Sequence, residues 1–514
     1  MPRPLLSRAE SQAIDRKLIE QGVPGIVLME NAGRGAAELI LKRFAKQLAC
    51  PVIVGGPGQN GGDAWVVARH LRVHGFPPRC FLVADPSRVR GDSALALSAL
   101  RAIGIDPTPI KCPEDLQALL ALKHQASLII DGLFGTGLDR PIDGIHRLVI
   151  EALCQWPAPK VALDIPSGVC AESGGVLGVA LPADLTITFH APKRGLHHPP
   201  GLRLAGEVVT VDIGVPPPPT ASAWLIGLED ARGLSRRPID AHKGTGGHVL
   251  VIGGSPGKTG AALLASRAAL RAGAGLVTIA PRPEARPSIE AKVLEAMTLE
   301  FSQEDAVPTI LEFVSRAESA VLGPGLGLDP IAKEWVERLA IELPVPTVID
   351  ADALRLLNPL ALRQAVAPRI LTPHPGEAAS MLGSSIQTIQ SNRFAAAQSL
   401  VELSHAIVVL KGARSIIASR DCLFVCERGS PALGTAGSGD VLAGIIAALL
   451  AERRAQDLQS AFEAAWLGVL LHAISGERAA QGSDRGLLAS QIADALPSLF
   501  AELLGSAAPH PHHH

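Results

Sequence analysis

The sequence predicts an α/β fold in two domains, each a mostly parallel sheet wound with helices. Three observations predict it. At 514 residues the chain is too long for one ordinary domain. Short apolar runs alternate with helix-like segments, a strand–helix–strand rhythm that recurs in both halves. The 47 % hydrophobic content is mostly Ala, Leu, Val and Ile, which suits strands covered on both faces.

The elements follow in order. Ser7-x-x-Glu10 is a capping box and opens a first helix. A second helical run covers 25–44. An apolar strand at 51–54 runs into Gly55-Gly-Pro-Gly-Gln-Asn-Gly-Gly-Asp63, and a helix continues to about residue 74. Further strands are expected at 80–83, 128–131, 161–164, 185–189 and 208–211, which completes a doubly wound sheet. Proline blocks both helix and central strand in Gly214-Val-Pro-Pro-Pro-Pro-Thr220, and an arginine-rich polar stretch follows. Residues 1–214 are therefore read as one domain, 215–240 as a linker and 241–505 as a second domain. In that second domain strands are expected at 249–252, 320–322, 347–350, 369–371 and 406–410, then a hairpin of 415–418 with 422–425. A helix is expected at 259–272, and the chain is helical from about 439 onwards. No internal repeat relates the halves. The final 506–514, ending in His510-Pro-His-His-His514, is read as a disordered tail rather than a metal site.

Composition excludes several classes. The net charge of −2 leaves no basic stripe for nucleic acid. The N-terminus lacks the apolar core of a signal peptide, and no long uncharged apolar run reads as a membrane span. Seven scattered cysteines without a CxxC pair argue against zinc and disulfide frameworks, and fit a reducing cytoplasm. The chain has no tyrosine, so no tyrosine serves as acid or base.

Motifs gather at strand ends. Gly55–Asp63 has the strand, glycine turn and helix grammar of a phosphate site, although a tight structural turn would look the same. Asp131-Gly-Leu-Phe-Gly-Thr-Gly137, Asp164-Ile-Pro-Ser-Gly168 and Lys193-Arg-Gly195 each follow a later strand. Any one Asp could be a turn cap. Together they converge outside the carboxyl ends of a parallel sheet, where ligands sit. These motifs resemble the NAD(P)H-hydrate epimerase family over residues 7–215. The resemblance implies a Rossmann-like fold and a bound potassium ion, with Asn60, Asp131 and Ser167 matching the potassium ligands. It also implies substrate contacts at Gln59, Asn60, Gly61, Gly62 and Asp63, at Gly135, Thr136, Gly137, Leu138, Asp139, Arg140 and Pro141, and at Asp164. Where the family pattern has Asn and Gly, this chain has Gln59 and Ala64. The implied reaction exchanges the R and S hydrates at C6 of the nicotinamide ring. It needs a proton donor or acceptor, for which Asp164 is the first candidate and Lys193 the second.

The second half carries a parallel set. His248-Val-Leu-Val-Ile-Gly-Gly254 leads to Thr259-Gly-Ala-Ala262, and Gly323-Pro-Gly-Leu-Gly327, Asp350-Ala-Asp352 and Leu371-Thr-Pro-His-Pro-Gly-Glu377 follow successive strands. Gly434-Thr-Ala-Gly-Ser-Gly-Asp440 precedes a long helix and would make an anion hole of backbone amides, with Asp440 placed to take a proton. The bland alternatives are a capping Asp440 and a structural His374. These motifs, with Lys411-Gly-Ala413, resemble the ribokinase-like superfamily, and within it the ADP/ATP-dependent NAD(P)H-hydrate dehydratases, over 241–505. The resemblance implies contacts to the hydrated dinucleotide from Ala261, Gly325, His374 and Asp440. It implies adenine-nucleotide contacts from Lys411, Gly412, Ala413, Arg414, Ser415 and Gly439, with Mg²⁺. The segment Gly429-Ser-Pro-Ala-Leu-Gly-Thr-Ala-Gly-Ser-Gly-Asp440 departs from the family pattern by small residues.

The expected function is repair of hydrated nicotinamide nucleotides. The epimerase recovers both epimers, and the dehydratase phosphorylates the C6 hydroxyl of S-NADHX or S-NADPHX to make a leaving group. The fused architecture implies ADP as donor, although the residues do not separate ADP from ATP. A homo-oligomer is expected from the resemblance. The alternatives are a small-molecule kinase of ribokinase type, and an N-terminal domain that binds a nucleotide without turning it over.

Overall fold

The computed structural model describes residues 2–218, 220–234 and 236–505. The expected tail at 506–514 lies outside the described residues. The chain forms two compact units, Arg3–Ala223 and a second beginning at Trp224.

The first unit is a parallel sheet of seven strands among the described residues. Their spatial order is Thr108–Pro109, Arg79–Leu82, Pro51–Gly55, Leu128–Gly132, Lys160–Leu163, Leu185–Phe189 and Glu207–Val211. The order reverses at Pro51–Gly55, whose neighbours lie on opposite sides. That switch opens a crevice at the carboxyl ends, directly above the glycine turn. The central strands are buried on both faces, so their apolar runs are continuous rather than alternating. Gly25–Phe44 and Gln59–Val73 pack one face around the fully buried Trp65. The two-residue strand Thr108–Pro109 was not anticipated. It is too short for a periodic signal and exists only through pairing with Phe81 and Leu82.

The second unit has ten strands among its described residues, in the order Ala223–Ile226, Leu423–Cys426, Ile416–Ala418, Ile407–Leu410, Arg369–Leu371, Thr347–Ile349, Ser319–Leu322, His248–Ile252, Leu276–Ala280 and Met297–Thr298. Pairing is parallel from Ile407–Leu410 to Met297–Thr298. Ile416–Ala418 and Leu423–Cys426 form the expected hairpin. The helix Ser438–Arg453 is buried along most of its length, and it packs with Thr259–Arg271 and Leu458–Ala480 into one large core. The segment 215–240, read as a linker, contains the strand Ala223–Ile226 and a 3-10 stretch at Leu228–Gly233. Proline ends just before that strand, so its backbone amides are free to pair.

Arg369 begins a strand and is 1 % exposed. Its Nε donates to the carbonyl of Ala340 at 2.6 Å, and its terminal nitrogens donate to Ile341, Leu343, Val345, Ala367 and Pro368 at 2.7–3.2 Å. It takes up carbonyls that the C-terminus of helix Pro330–Glu342 leaves over. Burial lowers its pKa to about 10. Arg369→Ala is expected to destabilise this unit by about 3 kcal/mol or more, since several buried acceptors lose their donor together. Urea unfolding followed by circular dichroism measures it, and a loss under about 0.5 kcal/mol would contradict the role.

All seven cysteines are free. Burial pushes the thiols of Cys80 and Cys426 up to about 12. Among the described residues no helix is long and apolar enough to cross a membrane.

Candidate active sites

In the first unit a cavity of about 760 Å³ lies outside the carboxyl ends of the strands. Asp164 follows strand Lys160–Leu163 with φ +65°, a left-handed conformation rare for a residue with a side chain. That twist turns the carboxylate into the cavity. Its Oδ1 lies 2.7 Å from Lys193 Nζ, and its Oδ2 accepts the Thr136 N–H at 2.9 Å. Lys193 is 2 % exposed and also donates to Thr188 Oγ1 and the Phe189 carbonyl at 3.0 and 2.9 Å. All three ammonium protons are thus engaged.

Two further carboxylates face this pair. Burial, then the charges of Asp164 and Asp15, hold Asp63 well above the usual carboxylate range. Burial also raises Asp15, with Lys193 offsetting part of the effect and Asp164 adding to it. Burial and mutual repulsion thus both favour the protonated forms of Asp63 and Asp15. Asp15 was missed by sequence reasoning. The available signal was helical spacing, because Ser11, Asp15 and Ile19 lie on one face of Arg8–Glu20 and all line the cavity. His190 was also missed. It lines the cavity with φ +66°, and burial lowers its pKa, so the ring is neutral.

Gln59, Asn60, Asp63, residues 135–141 and Asp164 all line the cavity. Gly61 and Gly62 do not. A methyl at Gly61 would overlap the Gly56 carbonyl, so glycine there lets the helix start sit against the turn, and one at Gly62 would meet Met29 at 2.5 Å, so glycine there lets the helix pack against Gly25–Phe44.

Beneath the cavity Asn60, Asp131 and Ser167 come together around the strand ends. Asp131 is 1 % exposed; its Oδ1 accepts the Ser167 hydroxyl at 2.6 Å and the Leu133 N–H at 3.1 Å, and its Oδ2 accepts the Ser167 N–H at 2.9 Å. Burial nonetheless lifts its pKa to about 6. Asn60 donates to the Leu163 carbonyl at 3.1 Å, which leaves its buried Oδ1 without a hydrogen-bond partner. A buried amide oxygen without a partner, a buried carboxylate and a hydroxyl make an all-oxygen donor set of low charge. It fits a hard monovalent cation rather than a transition metal. No group of three or more His, Cys, Asp or Glu is arranged for a metal among the described residues.

In the second unit a cavity of about 410 Å³ is lined by Ala261, Gly325 and Asp440, with Asp352 of the Asp350-Ala-Asp352 motif and Lys258, which sequence reasoning did not single out. Asp352 Oδ2 accepts Lys258 Nζ at 2.9 Å and the Gly327 N–H at 3.0 Å. Asp440 stands in the first turn of Ser438–Arg453. Burial, then the charges of Asp350 and Asp352, lift it to about 7. Lys411 Nζ lies 2.7 Å from Asp350 Oδ1 and 4.0 Å from Glu377 Oε2. Burial alone would lower Lys411, but Asp350, Glu377 and Asp440 hold it above its usual value. A Cβ at Gly439 would come within 3.1 Å of Lys411 Nζ, so glycine there keeps the lysine beside the helix start. Gly412, Ala413, Arg414 and Ser415 complete the turn after Lys411, between strands Ile407–Leu410 and Ile416–Ala418. His374 is not in the cavity lining. It caps the helix Pro375–Met381, its Nδ1 accepting the N–H groups of Gly376 and Glu377 at 3.0 and 3.3 Å.

Two doubly wound units, each with acids of raised pKa and glycine-rich turns at the carboxyl ends of its sheet, define an α/β enzyme with two separate active sites. A family model described as NAD(P)H-hydrate dehydratase matches residues 249–498, and one described as YjeF-related protein N-terminus matches 25–195. A bifunctional NAD(P)H-hydrate repair enzyme of Moorella thermoacetica is 38 % identical over 97 % of both chains. One of Coxiella burnetii is 35 % identical over 95 % of this chain and 97 % of its own. The chain belongs to the family of bifunctional NAD(P)H-hydrate repair enzymes. Among solved structures, an ADP/ATP-dependent NAD(P)H-hydrate dehydratase from Bacillus subtilis co-crystallised with ATP/Mg²⁺ is 29 % identical, covering 54 % of this chain and 96 % of its own with a TM-score of 0.46.

Proposed function

We propose that the first unit epimerises the R and S forms of NADHX and NADPHX, and that the second dehydrates the S form to NADH or NADPH with ADP as phosphoryl donor. The observation that carries the dehydratase reading is Asp440, a carboxyl near 7 at a glycine-rich helix start. Such a group is half-ionised near neutrality and can accept a hydroxyl proton. In this mechanism Asp440 takes the proton of the C6 hydroxyl while that oxygen attacks the β-phosphorus of ADP, and AMP departs. The amides around Gly439 and the Lys411 ammonium hold the transferring charge. The ring nitrogen then pushes out phosphate from C6 as a proton leaves C5, which restores the dihydropyridine. Mg²⁺ bound with the nucleotide would supply charge neutralisation on the donor phosphates.

In the first unit Asp164 is the proton carrier at C6. Lys193, with its donors engaged, holds that carboxylate in place from 2.7 Å. A protonated Asp63 or Asp15 serves as the complementary acid. Asn60, Asp131 and Ser167 would hold potassium, which supplies a fixed positive charge beneath the substrate. Self-association of the chain belongs to the same reading, and sedimentation velocity measures it.

The test mixes purified protein with R and S hydrates, K⁺ and Mg²⁺, with ADP, ATP or neither, and follows the near-ultraviolet absorbance of reduced nicotinamide. Full recovery with ADP is the expected result. Recovery of only the S fraction would remove the epimerase, and a stable phosphorylated product would favour a small-molecule kinase.

Potassium gives a separate check. The folded value of Asp131, about 6, lies above its ordinary 3.8, so its share of stability is complete below about pH 4 and is lost as pH rises through 6. A cation reverses that loss. Potassium chloride, against tetramethylammonium chloride, is expected to raise the melting temperature more at about pH 8 than at about pH 5, by about 2.7 kcal/mol of stability at a hundredfold excess over Kd. Asn60→Ala should remove most of the shift. An equal shift in the variant would contradict the site.

A further inference from the structure

Two arginines of the second unit are fully enclosed, Arg369 and Arg393, both 2 % exposed or less. Arg369 sits where a strand begins, at the amino ends of the sheet, and serves the C-terminal carbonyls of a helix, where a cation is favoured. Arg393 is placed in the opposite sense. It is the first residue of helix Arg393–Ser404, at the positive end of the helix dipole, and burial lowers it to about 10. Both effects work against a cation at that position, so packing alone does not account for it.

What Arg393 does contact is the turn after strand Ile407–Leu410. One terminal nitrogen donates to the Ala413 carbonyl at 2.6 Å and the other to the Leu410 carbonyl at 3.0 Å. These acceptors lie three residues apart, on either side of Lys411 and Gly412, so one planar fork spans the base of the turn. Gly412 has φ +148°, and a Cβ there would lie 2.9 Å from the guanidinium. The same turn is fastened elsewhere by the Lys411 N–H to the Pro373 carbonyl at 2.9 Å and by the Ser415 hydroxyl to the Gly412 carbonyl at 3.3 Å.

We infer that Arg393 is a positioning residue for the nucleotide donor: from beneath, it sets the shape of the Lys411–Ser415 turn and with it the place of Lys411 beside Asp350 and Gly439. The inference rests on the reading that this turn takes the adenine nucleotide. Lysine cannot span both carbonyls with a rigid fork. Arg393→Lys therefore loosens the turn while Asp440 and the hydrate cavity stay as they are.

The experiment is steady-state kinetics of the full chain with Mg²⁺, varying ADP and S-NADHX separately. Arg393→Lys is expected to raise KM for ADP by about tenfold or more and to lower kcat as Lys411 shifts, with KM for the hydrate within about threefold. Arg369→Lys is the comparison, because it lowers the melting temperature without a selective rise in the ADP KM. If Arg393→Lys folds and leaves the ADP KM unchanged, or shifts every parameter together as Arg369→Lys does, the inference is overturned. If Arg393→Lys fails to fold, Gly412→Ala presses on the same contact from above and must show the ADP-selective rise. Lys411→Met separates the two levels. If it too leaves the ADP KM unchanged, the nucleotide reading of the turn fails and Arg393 falls with it. If it raises the ADP KM while Arg393→Lys does not, only Arg393 is wrong.

Discussion

Asp440→Asn is expected to lower ADP-dependent dehydration by about 10³-fold, the scale of losing a positioned base. Epimerisation by the same preparation should stay within about twofold. In the unmutated chain dehydration should rise with pH through about 7, because only the ionised carboxyl accepts the hydroxyl proton. The same substitution should stabilise its own unit. Asp440 has a folded value of about 7 against an ordinary 3.8, so the stability it contributes is full below about pH 4 and lost as pH rises through 7. Asparagine does not titrate. The variant should therefore match the parent near pH 4 and exceed it by about 2 kcal/mol at pH 8, from removal of a desolvated charge. Urea unfolding at the two pH values reads this. A variant that loses both enzyme activities while folded would contradict two independent sites.

Asp164→Asn should do the reverse, cutting epimerisation by about 10²- to 10⁴-fold with dehydration intact. Asparagine still accepts the Thr136 N–H, but it cannot carry the proton or balance the Lys193 ammonium 2.7 Å away. Lys193→Met tests whether the lysine acts through the aspartate. If it does, the double variant Lys193→Met with Asp164→Asn should be no slower than Asp164→Asn alone. Exchange of the hydrates by ring-proton NMR measures both variants. Unchanged exchange in Asp164→Asn would remove Asp164 from the mechanism.

Much of this was legible because parallel sheets advertise themselves twice. Continuous apolar runs such as Pro51–Gly55 and Leu128–Gly132 mark strands, and ligand sites must lie where those runs end. Glycine turns and Asp residues at those ends therefore pointed to the cavity before any coordinates. Features set by distant pairing were not legible. Asp15 belongs to a helix far in sequence from the turn it faces. Lys258 and Asp352 are separated by 94 residues and meet only through the fold. The left-handed backbone of Asp164 was not legible either: aspartate tolerates that conformation better than most residues, but nothing in the sequence marks this one for it. His374 carries a role that its sequence pattern did not mark. A histidine between two prolines at a strand end has the pattern of a ligand contact, yet its ring nitrogen satisfies helix amides.

None of the seven cysteines lines either cavity. Every group assigned to proton transfer, charge balance or phosphate handling is a carboxylate, an amine, an amide or a hydroxyl. Electrophiles and mild oxidants that silence thiol-dependent enzymes find no sulfhydryl to attack at either centre, and the two enclosed thiols, held near 12, are almost wholly in the unreactive protonated form. The chemistry assigned to the two cavities therefore depends on no thiol, and thiol-alkylating reagents are expected to leave both activities in place.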